Sequence, residues 1–363
     1  MSPVMTCAGR CPDSDAATLD FEVPPSRIAA EPAEVRGLGR DDVRLMVARR
    51  SDPSIAHYKF GSIVDLLGPG DLLVVNVSET LAAALPAIAS DGSALRLHLS
   101  TRLSDAIWSV EIREPAGAGS LPWTGGGSGE VFVLPDGGRA ELLAPYPAGR
   151  AAPSRLWTAD VRFPAAVPAY LAAHGRPIRY GSGGPEFPIS AYQTVYAADP
   201  GSAEMPSAGR AFTTEILTRL VSRGVGVAPL VLHAGVSSPE SHEPPFPEWY
   251  RVPAPTAAWV NAARAGGGRI VATGTTVVRA LETCADGDGV VSAASGWTNV
   301  LIGPDRPPRA VDGLLTGWHE PGASHVRLLE AVAGRSLLRR CYAHALASEY
   351  LWHEFGDLLL LLP

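Results

Sequence analysis

Lysine is almost missing from this chain: Lys59 is the only one in 363 residues, and the other basic side chains are arginines. A phosphate-gripping Walker loop needs a Gly-Lys-Ser/Thr run, and none is present. A lysine Schiff base would have to form on Lys59 or nowhere. Long apolar runs are missing too. The longest purely aliphatic stretch is Leu358 to Leu362, far short of the roughly 18 residues a membrane-crossing helix needs. The first thirty residues hold acids and prolines but no apolar core of a secretory signal, so a cytoplasmic protein is expected. Cysteine is scarce: Cys7, Cys11, Cys284 and Cys341 offer neither a zinc spacing nor three nearby thiolates, so no metal is expected. Gly-x-Ser-x-Gly and His-Glu-x-x-His are both absent. The 30 Lys+Arg against 37 Asp+Glu leave a formal charge of −7, which disfavours general nucleic-acid binding.

What remains is 46% hydrophobic, enough for an ample core and more than one domain. Residues 1–18 read as a disordered tail. Val43 to Arg49 alternates like a strand, Phe60 to Leu67 has helical spacing, and Asp71 to Asn76 is a buried strand behind the Gly68-Pro69-Gly70 turn. Between 81 and 163 the texture changes to short β-type runs, Leu95 to Leu99, Ile107 to Ile112, Glu130 to Leu134, Ala140 to Leu143 and Leu156 to Val161, parted by Gly/Pro/Ser turns. The glycine-rich 117–129 stretch has no lysine and no following helix, so it reads as a hairpin loop. From about Val167 strands and helices alternate. Helices are expected over Phe212 to Arg223, Thr256 to Ala265, Thr275 or Thr276 to Cys284, Ala323 to Ala333 and Ser336 to Trp352, with strands at Val225 to His233 and Arg269 to Thr273. The expected fold is α/β. A mostly parallel domain, residues 19–80 and 164–363, carries an inserted small β-barrel, residues 81–163.

Four constellations carry chemical promise. In Ile270-Val-Ala-Thr-Gly274-Thr-Thr-Val-Val-Arg279-Ala-Leu-Glu282 a strand turns through glycine into a helix, with a threonine as the expected cap. The open N–H groups of such a helix start suit an anion, and Arg279 and Glu282 share one helix face. The plainer reading is an ordinary cap with an intrahelical ion pair. In Val311-Asp312-Gly-Leu-Leu-Thr316-Gly-Trp-His319 a carboxylate, a hydroxyl and an imidazole stand close together and can handle protons, or simply satisfy a loop. His233 ends a buried strand, where open α/β sheets place ligands, although a lone histidine there also serves as core. In Tyr192-Gln-Thr-Val-Tyr196 both rings are candidate core contacts or a platform.

Taken in order, these segments resemble the S-adenosylmethionine:tRNA ribosyltransferase-isomerases of queuosine biosynthesis. The resemblance begins at Phe21-Glu-Val-Pro and runs through Gly68-Pro-Gly-Asp-Leu-Leu-Val-Val-Asn76, Tyr192-Gln-Thr-Val-Tyr-Ala197, Leu232-His233, Gly274 to Glu282 and Val311 to His319. It ends at Phe355-Gly-Asp357. It implies an α/β domain with an inserted β-barrel, and S-adenosylmethionine as a co-substrate that surrenders its ribosyl unit rather than its methyl group. The family's acceptor is the amine of 7-aminomethyl-7-deazaguanine in tRNA, with adenine and methionine released. On this resemblance Asp312, His319, Glu282 and His233 are the expected proton-handling residues. Thr275, Thr276, Arg279, Thr316, Tyr192 and Tyr196 are the expected S-adenosylmethionine ligands. A monomer is expected.

The chain departs from the family pattern near one side of the site. Asn76 is followed by Val77-Ser78-Glu79 where the family has Asn/Asp-Thr-Arg, and Arg210-Ala211-Phe212 replaces Leu-His-Phe. A lost arginine weakens phosphate contact, so a small-molecule acceptor stands beside tRNA as an alternative. A non-catalytic nucleoside- or RNA-binding relic is the third reading.

Overall fold

The computed structural model describes residues 19–363 apart from 20, 53, 118, 124, 148–154, 181–184, 237–245 and 322–323. The tail expected over 1–18, with Cys7 and Cys11, lies outside the described residues.

The chain opens with β1 (Arg44–Arg49), β2 (Ile55–Lys59), α1 (Ile63–Leu66), β3 (Leu72–Asn76) and the short β4 (Ser78–Thr80). Seven strands follow: β5 (Ala84–Ile88), β6 (Ala94–Arg102), β7 (Ile107–Ala116), β8 (Gly119–Pro122), β9 (Val131–Val133), β10 (Arg139–Pro145) and β11 (Leu156–Arg162). Then come α2 (Val167–His174), β12 (Asp199–Ser202), α3 (Thr214–Ser222), β13 (Gly226–Leu232), β14 (Glu248–Val252) and α4 (Ala254–Ala265). The last third holds β15 (Ile270–Thr273), α5 (Thr275–Cys284), β16 (Ala294–Thr298), β17 (Gly313–Gly317), α6 (Ser324–Ala333), α7 (Arg335–Ala347) and β18 (Leu358–Leu362).

A run such as Leu72-Leu-Val-Val has no polar face to offer water, so it belongs inside a sheet covered on both sides. It lies there: the main sheet has the order β16-β14-β13-β3-β15-β17-β18-β1-β2. Its centre, β13-β3-β15-β17, is parallel, and β14, β16 and β18 are added antiparallel to their inner neighbours. The strand period of two sends alternate side chains to opposite faces. Leu72, Val74, Leu359 and Leu361 pack with residues of α4 to α7, such as Val260, Val278, Leu329 and Leu338. Leu73, Val75, Leu358 and Leu360 pack with Ile63, Ile216 and Leu220 of α1 and α3. Three layers result.

The second sheet closes on itself. β5-β6-β7-β11-β10-β9 returns to β5 through the Ile88–Val133 pairing, around a core that includes Leu85, Leu97, Val110, Phe132, Leu142 and Trp157. β8 pairs with the end of β7 as a hairpin, so the glycine-rich stretch contributes one strand as well as a loop. The barrel's outer face meets the α/β unit through polar groups. Ser100 Oγ accepts from the Val236 N–H at 3.0 Å. Ser120 Oγ donates to the Arg179 carbonyl at 2.9 Å. Within the barrel, fully buried Glu111 accepts from Arg113 and Arg155, at 2.7 and 3.0 Å, with the His98 ring beside it.

One expected helix is of mixed type and one is shorter than its periodicity suggests. Phe60 to Leu67 is a single 3-10 turn running into α1. α7 stops at Ala347 because Ser348 ends it and Glu349 takes φ +59°, which sends Trp352 back into the core instead of extending the helix.

Candidate active site

Open α/β sheets leave their functional ground at the carboxyl ends of the parallel strands. Here those ends are Asn76 of β3, Leu232 of β13, Thr273 of β15 and Gly317 of β17. Asn76 binds the first two together. Its Oδ1 accepts from the N–H groups of Leu232 (3.0 Å) and Ser78 (3.1 Å), and its Nδ2 donates to the Leu232 carbonyl (2.8 Å). That leaves the strand ends rigid around the start of α5.

Between β15 and α5 the chain turns at Gly274, with φ +91° and ψ 157°. Only glycine adopts that region without strain. Its N–H is held by the Leu315 carbonyl at 2.8 Å. The expected threonine cap is corrected here: Gly274 occupies the cap position, Thr275 is already helical, and no side chain caps the helix. The N–H groups of Thr275 and Thr276 therefore have no acceptor among the described residues. Thr275 is buried, and the Thr276 hydroxyl lies 3.4 Å from Asn76 Nδ2. Two unpaired amides at the positive end of a helix make a ready anion seat.

His233 follows β13 and faces the same edge. Its Nδ1 lies 2.8 Å from Ser78 Oγ, and its Nε2 lies 3.9 Å from Asp199 Oδ1. Trp249 stacks on the ring, with centroids 5.3 Å apart and planes inclined by 19°. Burial holds the imidazole below its usual pKa, with Asp199 pulling the other way and Arg251 adding to the drop. On the far side, Thr316 Oγ1 and His319 Nε2 are 3.1 Å apart, and His319 stacks on His325 with centroids 4.5 Å apart. Burial, together with the nearby His325 and His353, holds His319 well below the ordinary histidine value. Imidazoles whose pKa burial lowers thus follow β13 and β17, on either side of the β3–β15 pair that leads into α5.

The other expected residues are placed differently. Asp312 precedes β17, at the amino end of the parallel strands. Its carboxylate accepts from the Ile270 N–H at 2.8 Å. The strand between Asp312 and Thr316 carries them roughly 13 Å apart, so spacing in sequence does not make them neighbours at the site. Glu282 lies near the far end of α5, where its Oε1 accepts from the Arg309 and Ala310 N–H groups at 2.9 and 2.8 Å. Burial pushes its carboxyl pKa up. Neither carboxylate reaches the anion seat. Arg279 is one turn into α5 but its guanidinium is taken: it pairs with Glu248 and donates to the Val300 carbonyl at 3.3 Å. It is no open clamp for a ligand carboxylate. Tyr192 is buried against Phe355, with centroids 5.2 Å apart, and its hydroxyl pKa is pushed up to about 12 by burial. Tyr196 packs on Phe212 with its hydroxyl against Gly209, where even a Cβ would meet it at 1.9 Å. Both tyrosines are core contacts.

Sequence reading named Thr275, Thr276, His233, Thr316 and His319, and these stand together at one edge of the sheet. It missed Asn76 as a site residue, and it missed Ser78, Asp199, Ser202 and Trp249. Asn76 carried a signal, because a polar residue closing a wholly apolar strand is where side chains reach the cleft. The others come together only through non-local pairing. Among the described residues no three His, Cys, Asp or Glu side chains converge to hold a metal ion. None of the described helices is long and apolar enough to cross a membrane. The assembled edge can seat an anion on backbone amides and can exchange protons or hydrogen bonds through two neutral imidazoles.

Comparison with known proteins gives concordant matches. The profile of the family described as queuosine biosynthesis protein matches residues 16–361. The S-adenosylmethionine:tRNA ribosyltransferase-isomerase of Moorella thermoacetica is 36% identical, over 95% of this chain and 98% of its own length. That of Symbiobacterium thermophilum is also 36% identical, with the same coverage. Among solved structures, the S-adenosylmethionine tRNA ribosyltransferase of Thermotoga maritima aligns with 95% of this chain and 99% of its own, at 29% identity and a TM-score of 0.52.

Proposed function

This chain belongs to the queuosine biosynthesis protein family, and on that premise we propose that it is an S-adenosylmethionine-dependent ribosyltransferase-isomerase. It moves the ribosyl unit of S-adenosylmethionine to an amine acceptor, isomerises it, and releases adenine and methionine. In this reading the acceptor is 7-aminomethyl-7-deazaguanine in tRNA, and the enzyme works in the cytoplasm as a monomer. Residues 19–80 and 164–363 form its catalytic unit, and residues 81–163 an inserted barrel domain.

The observation that carries this reading is the uncapped start of α5 at the sheet edge that also holds His233 and His319. S-adenosylmethionine offers a carboxylate for the Thr275 and Thr276 amides, and charge-assisted bonds of that kind contribute about 1.5–3 kcal/mol each. Its sulfonium makes the neighbouring C–H acidic enough for a protein base to act. His319, neutral and half-buried, is suited to take that proton, and Thr316 orients its ring. His233 faces the same edge with its ring fixed on both sides. The Arg279–Glu248 pair ties α5 to the strand beside it and to the Gly235 N–H, walling the site from water.

A second reading keeps the donor chemistry and changes the acceptor to a small amine. Three acids of the β4–β12 ribbon region, Glu79, Asp199 and Glu204, favour it, because they repel a phosphate backbone. Incubation with S-adenosylmethionine and tRNA bearing the deazaguanine amine, followed by mass spectrometry, tests both. Adenine and free methionine with a modified tRNA support the first reading. Adenine release only with a small-molecule extract supports the second. S-adenosylhomocysteine as the product overturns both.

A further inference from the structure

We propose that Ser78 and Ser202 are positioning residues that fix His233 as the tautomer protonated on Nε2, so that this histidine presents a hydrogen-bond donor to the ligand. The inference rests on the site assignment above for its functional meaning, but its structural content can be measured without substrate.

Three hydroxyl and amide groups form a chain with one direction. The backbone N–H of Ala234 donates to Ser202 Oγ at 3.0 Å. The amide fills one of the two lone pairs of Ser202 Oγ, so the direction of the chain follows from where the hydroxyl proton can go. The Ser202 hydroxyl proton then has one acceptor in reach among the described residues, Ser78 Oγ at 2.6 Å. Ser78, having accepted, turns its own proton to His233 Nδ1 at 2.8 Å. Nδ1 is thereby the acceptor of the ring, and in a neutral imidazole the proton must sit on Nε2.

The other end of the ring gives the same answer independently. Nε2 looks toward Asp199 Oδ1 at 3.9 Å, and Asp199 is itself held by Arg251 at 2.5 Å. A carboxylate favours an N–H on that nitrogen and disfavours a lone pair. The ring cannot flip to escape. Gly201 lies so close that a Cβ there would stand 2.5 Å from the imidazole, while Trp249 covers the opposite face. All of the fixing groups apart from Trp249, Arg251 and the Ala234 amide come from the parallel ribbon of β4 and β12, where Asp199 pairs with Ser78.

A neutral imidazole that donates from Nε2 polarises an acceptor atom without giving up its proton, since losing it would leave an imidazolate. That assigns the two histidines of the site different tasks: His233 donates a hydrogen bond, and His319 accepts the proton.

The test is nitrogen-15 NMR of the full chain labelled at histidine, without substrate, with the His233 signals assigned through a His233→Gln variant. The expected spectrum has Nδ1 as the bare acceptor nitrogen and Nε2 as the protonated one. Ser78→Ala should shift the Nδ1 signal as its hydrogen bond is lost and raise the share of the Nδ1-protonated form, and Ser78→Thr, which keeps the hydroxyl, should restore both. Ser202→Ala gives the same readout if Ser78→Ala does not fold. In the adenine-release assay Ser78→Ala should lower kcat by on the order of tenfold or more, with KM for S-adenosylmethionine within about threefold. A proton on Nδ1 in the unaltered protein, or an unchanged spectrum in both alanine variants, overturns the proposal. If the unaltered protein shows the Nε2–H signature but releases no adenine, the positioning stands and the functional assignment fails.

Discussion

Replacing Gly274 with alanine perturbs one backbone torsion and little else. A Cβ at this position would meet only Ala208 Cβ and Thr276 Oγ1, both at 3.5 Å, so there is room for it. The cost is conformational. At φ +91° and ψ 157° a residue with a side chain is strained by about 1–3 kcal/mol. The variant therefore either keeps the turn and loses that much stability, or rotates the peptide and turns the Thr275 and Thr276 amides away from the cleft. In the second case a bound carboxylate loses one or two charge-assisted hydrogen bonds and the helix-end attraction, together about 2–4 kcal/mol, which is roughly thirtyfold to a thousandfold in affinity. Calorimetric titration with S-adenosylmethionine, alongside urea unfolding, separates the two. Weaker affinity, lower stability, or both are expected. A variant as stable as the original that binds S-adenosylmethionine within about twofold would refute the assignment of this turn as the anion seat.

Three further outcomes follow from the geometry. Asp312→Ala should lose about 1–2 kcal/mol of stability, because the Ile270 N–H loses its acceptor, while adenine release per folded molecule stays within about threefold. A hundredfold fall in kcat would put that carboxylate back among the reacting groups. Burial alone would push the Glu111 carboxyl up, yet His98, Arg155 and Arg113 hold it down to about 2. Its folded pKa is below the unfolded value of 4.5, so its stabilisation is complete above that pH and is lost as pH falls toward 2. Glu111→Gln should cost about 3 kcal/mol in urea unfolding at pH 7, a penalty that shrinks on acidification across that window. If the penalty is the same at pH 7 and pH 3, the ionic account of this cluster is wrong. His319 is held well below 6.5, so the acid limb of the adenine-release profile should fall well under that value. His319→Asn should lower kcat by a hundredfold or more. A limb centred at 6.5 would mean that another base is at work.

The legible parts of this molecule were those whose signal is local. Strands such as Leu72 to Asn76 and Ile270 to Thr273 announce themselves by uninterrupted apolar residues between turns, and β1, β13 and β15 lie within a residue or two of their expected bounds. β2 escaped notice because it is an exposed edge strand with little apolar pattern. The five leucines of β18 have no period, so their share in both cores is invisible until the sheet is assembled. The site divides along the same line. Thr275, Thr276, Thr316 and His319 were readable because a turn or a strand end stands beside them in sequence. Asp312 was misplaced because an extended strand separates residues that look adjacent. Arg279 reads in sequence as paired with Glu282 or open to a ligand, because its actual partner, Glu248, lies 31 positions away. The hydroxyls that orient His233 come from positions 124 residues apart, and only β4–β12 pairing unites them.

β18 lies between β17 and β1, so the first strand of the sheet waits for one formed more than 300 residues later. During synthesis, β1 and β2 emerge long before their neighbour exists and cannot join the parallel centre until it arrives. Closing so long a loop is slow. The barrel has no such debt, because its strands come from one uninterrupted stretch of chain. It can be in place early, while the anion seat on the larger sheet is completed last.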